Sequence, residues 1–142
     1  MRCNEIMKGT VECIGPTDTI QTAATRMRDS NVGFLPICDD ERKVLGTVTD
    51  RDITVRVVAE NRPLSTPVRD IMTTEIVAVR PEDDLNRAQQ LMGEEHKSRL
   101  LCLDDRERIA GVISLSDIAR YAEGASAAKT MRDVSAREVR TP

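Results

Sequence analysis

Apolar and polar positions along the chain fall into short blocks of two periods. Ile20, Ala23, Ala24 and Met27 keep the i, i+3, i+4, i+7 spacing of a helix with one buried face. They predict a helix from about Thr19 to Ser30, entered from the loop Gly15-Pro16-Thr17-Asp18 with Asp18 as its cap. Val11 to Ile14, Phe34 to Cys38 and Lys43 to Thr49 are brief apolar runs bounded by turn residues, and read as strands. A turn of helix at Asn4 to Met7 opens the chain, and a second helix is expected from Asp50 to about Glu60. The order is β-α-β-β-α, an α/β (α+β) pattern.

After Asn61-Arg62-Pro63-Leu64-Ser65-Thr66-Pro67, whose prolines exclude a continuous helix, the same order returns. Strands are expected at Ile76 to Val79, Arg99 to Leu103 and Ile109 to Ser114, with helices near Asp84 to Glu94 and from Leu115 to about Glu123. A shift of 65 residues superposes the halves without a gap, as from Gly46 to Gly111. Identical pairs include Ile6/Ile71, Met7/Met72, Pro16/Pro81, Met27/Met92, Leu35/Leu100, Asp39/Asp104, Gly46/Gly111 and Asp52/Asp117. This is an internal duplication. We expect repeats over 1–62 and 63–124, packed about a pseudo-twofold axis, and a tail over 125–142. The tail reads as a short surface helix, a dimer arm or a frayed end.

The strongest shared stretch is Gly46-Thr47-Val48-Thr49-Asp50-Arg51-Asp52-Ile53, matched by Gly111-Val112-Ile113-Ser114-Leu115-Ser116-Asp117-Ile118. It reads as a strand running into a helix, with Thr49 and Ser114 as N-caps. Asp52 and Asp117 fall at the third helical position, where a carboxylate favours the helix dipole and can close a capping box. The same carboxylate can accept two hydrogen bonds from a vicinal diol.

Composition narrows the function. A net charge of -3 gives no electrostatic case for nucleic acid or an anionic membrane. Phe34 and Tyr121 are the whole aromatic content, too little for stacking on single-stranded nucleic acid. No apolar signal core or membrane-length run is present, so a cytoplasmic location is expected. Cys3, Cys13, Cys38 and Cys102 with the single His96 offer no metal-ligand spacing. No nucleophile and base are paired, so no catalytic residues are expected. Asp39-Asp40 and Asp104-Asp105 are turn residues, and Met27 and Met92 are core filling. A β-α-β crossover makes the strands of Cys13 and Cys38 parallel neighbours, about 4.8 Å apart, which makes the pair a candidate disulfide. Reduced thiols are the alternative that a cytoplasmic location favours.

The doubled unit resembles the cystathionine β-synthase (CBS) domain. The resemblance rests on Glu5-Ile6-Met7 and Asp70-Ile71-Met72, on Gly33-Phe34-Leu35-Pro36-Ile37-Cys38-Asp39 and Arg99 to Asp104, and on the two Gly-to-Ile stretches above. It covers roughly Cys3 to Gly124 and implies a stand-alone pair of such domains, a Bateman module. It further implies regulatory binding of AMP, ADP, ATP or S-adenosylmethionine, with no cofactor beyond that ligand. Carried over, site one would use Gly9, Thr10, Val11, Phe34, Leu35, Pro36, Thr49, Arg51 and Asp52. Site two would use Thr74, Glu75, Ile76, Lys97, Arg99, Leu100, Leu101, Ser114 and Asp117. Arg51 would meet phosphate in site one, and Lys97 or Arg99 in site two. Because Pro36 is matched by Leu101 and Arg51 by Ser116, the sites are expected to be unequal.

The expected function is therefore a non-catalytic sensor, forming a homodimer through its helices and read by an unidentified regulated protein. Ile53, Val57, Ile118 and Ala122 are the expected uncovered positions. The alternative is a structural or redox-responsive stress protein of the same fold, without nucleotide, in which Cys13 and Cys38 carry the signal.

Overall fold

The computed structural model describes residues 1–136. The described chain forms two compact units, and these do not follow the chain halves. One unit joins 1–11 to the chain from Val77 onward; the other is 12–76. Thus the opening segment of each repeat is built into the body of the other.

The 12–76 unit contains α1 (Ile20–Ser30), the antiparallel pair β1 (Phe34–Cys38) and β2 (Val44–Thr49), and α2 (Asp50–Ile53). α1 is capped by Thr19, whose hydroxyl accepts from the Thr22 N–H. Asp18, the expected cap, instead accepts from Gly15 N–H at 2.8 Å and closes the preceding turn. Of the expected first strand only a parallel bridge between Ile14 and Ile37 forms. The helix expected to Glu60 is α-helical only through α2 and continues as a π-helix over Thr54–Val58. Thr54, Val55, Val57 and Val58 are β-branched and crowd an α-helical turn, which is consistent with the wider winding. A 3-10 turn at Val68–Asp70 closes the unit. Ile20, Leu35, Ile37, Val48, Val57, Val68 and Ile71 form its core.

The other unit begins with a 3-10 turn at Cys3–Glu5. It adds β3 (Ala78–Val79), α3 (Leu85–Glu95), β4 (Arg99–Leu103), β5 (Ile109–Ser114), α4 (Leu115–Tyr121) and α5 (Gly124–Ser135). β3 pairs parallel with β4, and β4 antiparallel with β5. Leu100, Cys102 and Ile113 from the sheet meet Leu85, Met92, Ile118 and Val134 in its core. The tail is a helix for its described part: Gln89 on α3 donates to Ser126 and Thr130 on α5, while Ala127 and Val134 are buried. Residues 137–142 of the tail lie outside the described residues.

The exchange of opening segments is bonded alike in both units. Cys3 N–H donates to Asp83 O at 2.9 Å, and Val68 N–H to Asp18 O at 2.8 Å. Lys8 bridges Val112 on β5, as Thr73 bridges Thr47 on β2. Close backbone approach explains the repeated glycine. A methyl at Gly46 would stand 2.7 Å from both the Met72 sulfur and Thr73 O, and one at Gly111 2.7 Å from the Met7 sulfur. The repeated Ile-Met and the distant Gly are therefore two halves of one contact.

Candidate functional site

Each unit carries a strand-to-helix corner built by the same residues. In the 12–76 unit β2 delivers Thr49 in extended conformation to the start of α2. Thr49 Oγ1 accepts from Asp52 N–H at 3.1 Å, and Asp52 Oδ2 accepts from Thr49 N–H at 3.0 Å. In the other unit Ser114 Oγ accepts from Asp117 N–H at 3.2 Å. Asp117 Oδ2 accepts from both the Ser114 N–H at 2.8 Å and its hydroxyl at 2.9 Å. The expected capping boxes are present, and each uses the Oδ2 oxygen, leaving the Oδ1 side of the carboxylate outside the box.

The surroundings of the two aspartates differ. Asp52 Oδ1 lies 3.9 Å from Arg56 Nε, one helical turn on, and the Asp52 side chain is 18% exposed. Arg56 also donates to Ile71 O at 2.7 Å, so it is fixed while still touching the carboxylate. Asp117 is 4% exposed and has Tyr121 at the matched position. Sequence reading missed Arg56; its i, i+4 spacing from Asp52 is the signal that locates it.

The strands add the next residues. Phe34 is paired with Thr49, Leu35 with Val48 and Pro36 with Thr47. Arg99 is paired with Ser114, Leu100 with Ile113 and Leu101 with Val112. An aromatic ring therefore stands beside one cap and a guanidinium beside the other, a second inequality between the corners. Leu35, Pro36, Leu100 and Leu101 are buried, whereas Arg51, Lys97 and Arg99 are exposed cations.

Phe34, Leu35, Pro36, Thr49, Arg51 and Asp52 share one unit; Lys97, Arg99, Leu100, Leu101, Ser114 and Asp117 share the other. Gly9, Thr10 and Val11 end the segment that precedes the first crossing, at Val11/Glu12. Thr74, Glu75 and Ile76 end the segment that precedes the second, at Ile76/Val77. Of these six residues Gly9, Thr10, Thr74 and Glu75 are exposed.

The turn aspartates act as turn residues. Asp39 Oδ1 accepts from the Glu41 and Lys43 N–H groups, and Asp104 Oδ1 from those of Arg106 and Arg108, all at 2.9 Å. Hydrogen bonds from the Arg108 backbone, first of several causes, hold Asp104 below the usual carboxylate range. His96 is exposed, ends α3 in the left-handed region, and places Nδ1 2.8 Å from Asp133 O. Met27 and Met92 are core residues.

All four cysteines are thiols. Burial, with Asp83 and Asp84 nearby, pushes Cys3 up to about 11, and burial beside Cys3 pushes Cys102 up to about 12. Cys13 differs: the Cys38 thiol is hydrogen-bonded to its sulfur and Arg42 is near, so despite partial burial it is drawn down to about 7. The same contact, with burial, pushes Cys38 upward. Among the described residues no group of three or more His, Cys, Asp or Glu side chains is gathered to hold a metal. No helix of the described residues is long and apolar enough to cross a membrane.

Comparison with known proteins fits this architecture. The chain is 40% identical over 116 residues to the CBS domain-containing protein YhcV of Bacillus subtilis, covering 81% of each. The crystal structure of Hypoxic Response Protein I with two coordinated zinc ions superposes with a TM-score of 0.78 at 27% identity. That match covers 87% of this chain and all of the other. The protein of that name from Mycobacterium tuberculosis is 31% identical over 118 residues, 82% of each chain. The CBS domain pair of MJ0100, solved with 5-methylthioadenosine and S-adenosyl-L-methionine, has the same fold, with a TM-score of 0.77 at 23% identity. It covers 84% of this chain and 98% of that one. Residues 3–59 and 68–124 each match the CBS domain. With both repeats accounted for, the chain belongs to the CBS domain family, as a tandem pair.

Proposed function

We propose that this protein is a non-catalytic regulatory module that binds adenosine-containing ligands, such as AMP, ADP, ATP or S-adenosylmethionine, and signals their presence to a partner protein. The observation that carries the reading is the state of Asp52 and Asp117. Each is oriented by its capping box through Oδ2, and Oδ1 is the oxygen that would accept the ribose 2′- and 3′-hydroxyls. Orientation before binding removes part of the ordering cost of recognition. The solved CBS pair with two adenosine-derived ligands supports the same ligand class.

Phe34, Leu35 and Pro36 would flank adenine at the first aspartate, and Leu100 and Leu101 at the second. Arg51, Lys97 and Arg99, exposed and without a fixed partner role in either cap, are the candidate phosphate cations. The first site is the better fit to a phosphorylated ligand, because Phe34 supplies an apolar wall and Arg51 and Arg56 supply charge. A homodimer in the cytoplasm is part of the proposal. Its interface would use Val55 and Val58, 47% and 64% exposed, and Tyr121, 49% exposed. Val57 and Ile118 cannot serve there, since both are fully buried in their own units.

Thermal unfolding with and without AMP, ATP and S-adenosylmethionine tests the reading. A ligand present at about a hundred times its dissociation constant adds about 2.7 kcal/mol of stability. At least one of the three is expected to raise the transition, while guanosine and inorganic phosphate are not. No shift with any adenosine compound at millimolar concentration would reject it.

A further inference from the structure

Cys13 and Cys38 come together for reasons independent of any nucleotide. Ile14 N–H donates to Pro36 O at 3.1 Å, and Cys38 N–H donates to Ile14 O at 2.9 Å. These bonds make a parallel bridge at Ile14 and Ile37. Cys13 directly precedes Ile14 and Cys38 directly follows Ile37, so the two cysteines flank the bridged pair diagonally, on the face opposite to it where side chains alternate. The two side chains lie close enough for the Cys38 thiol to bear on the Cys13 sulfur. Cys13 is partly exposed and lies outside any strand, whereas Cys38 is buried at the end of β1. The segment carrying Cys13 meets β1 at a single bridge.

We propose that Cys13 and Cys38 are a thiol-modification site, at which Cys13 reacts with a low-molecular-weight disulfide and Cys38 resolves the adduct into a reversible intramolecular disulfide. The Cys13 thiolate attacks one sulfur of the small disulfide. That S–S bond breaks, and one small thiol departs after taking up a proton. Cys38 then gives up its proton, its sulfur attacks the Cys13 sulfur, and the second small thiol leaves. The protein loses two hydrogens and two electrons, and the small disulfide is reduced to two thiols.

The two cysteines suit the two roles. Cys13 carries the thiolate character and the exposure that select a reacting cysteine. Once it is a mixed disulfide, the contact with the Cys13 thiolate, first among the causes that raise Cys38, is gone, which eases the resolving step. Cys3 and Cys102, buried and with raised pKa values, are spectators. The bridge would pin the chain two residues beyond Val11, where it crosses into the 12–76 unit.

The test exposes reduced protein to glutathione disulfide at pH 7, quenches with acid, alkylates under denaturing conditions and maps the peptides. The expected product links Cys13 to Cys38, leaves Cys3 and Cys102 alkylated, and is reversed by reduced glutathione. Cys38→Ser is expected to stop at a glutathione adduct on Cys13. In native wild type, alkylation of Cys13 at pH 7 is expected about five-fold faster than that of an ordinary thiol. About fifty-fold more thiolate is offset about ten-fold by lower nucleophilicity. Four alkylated thiols after exposure, a bridge that includes Cys3 or Cys102, or an adduct carried by Cys38 in the wild type would overturn the proposal.

Discussion

Asp52 and Arg56 stand one helical turn apart with 3.9 Å between Oδ1 and Nε, and the matched residues Asp117 and Tyr121 have no such pairing. Arg56 also closes the 12–76 unit through Ile71 O. Replacing it therefore tests packing and charge together. Arg56→Ala is expected to cost about 1 kcal/mol, below the range of about 1.5–3 kcal/mol usual for a hydrogen bond from a charged group, because the side chain is half exposed. Urea unfolding reads that loss. Arg56→Lys, which cannot serve both contacts with one compact ammonium, is expected to restore less than half of it.

The glycine contacts give a prediction that distinguishes the repeats. Gly46→Ala and Gly111→Ala should each destabilise by about 1–3 kcal/mol, the usual range for overpacking. At Gly111 the two nearest atoms belong to the Met7 side chain, and Lys8 O is at 3.0 Å. At Gly46 the backbone oxygen of Thr73 is itself 2.7 Å away. Met7→Ala should accordingly relieve part of the Gly111→Ala strain, whereas Met72→Ala should relieve little at Gly46. Equal rescue in both repeats, by denaturant midpoint, would contradict this packing.

The sequence carried the local part of this fold well. Helical spacing, turn aspartates and the two caps are all set within a few residues, and the duplication lets each repeat check the other. What it did not carry is long-range or unpaired. The contact of Gly111 with Met7 spans most of the chain, and no local rule announces it. The sequence predicts a helix through Thr54–Val58 but does not set its winding, because the apolar positions suit α and π turns alike. α5 has no twin in the first repeat, so the duplication carries no second copy of its pattern. At the candidate site the aspartates were legible and Arg56 was not, because attention to matched positions passes over a residue whose twin is Tyr121.

α5 should be integral to its unit. Ending the chain at Glu123 removes Ala127 and Val134 from the core and leaves the Gln89 amide, 8% exposed, without Ser126 and Thr130. Orphaning that group alone costs about 1–3 kcal/mol. The shortened protein should unfold at clearly lower denaturant, and an unchanged midpoint would make α5 an appendage.

The thiols give stability a defined pH dependence. Cys3 and Cys102 have folded pKa values near 11 and 12, above the ordinary value of 9.0. Their contribution is fully present below pH 9 and is lost as pH rises through 11 to 12. Cys13, lowered to about 7, acts in the opposite sense, adding stability between pH 7 and 9. Cys3→Ala combined with Cys102→Ala should reduce the alkaline fall in unfolding free energy, and the part that remains should belong to Cys38, itself pushed upward.

Titration calorimetry of Asp52→Asn and Asp117→Asn with the adenosine ligand that stabilises the wild type tests the central claim most directly. Asparagine retains an acceptor oxygen for the cap, so the fold is kept while the charge proposed to hold the ribose diol is lost. Hydrogen bonds to a charged group are worth about 1.5–3 kcal/mol each, and about 1.4 kcal/mol is a factor of ten in affinity. Each variant is predicted to weaken its own site tenfold or more and leave the other unchanged. Wild-type affinity and stoichiometry in both variants would contradict the account and leave Asp52 and Asp117 as helix caps alone.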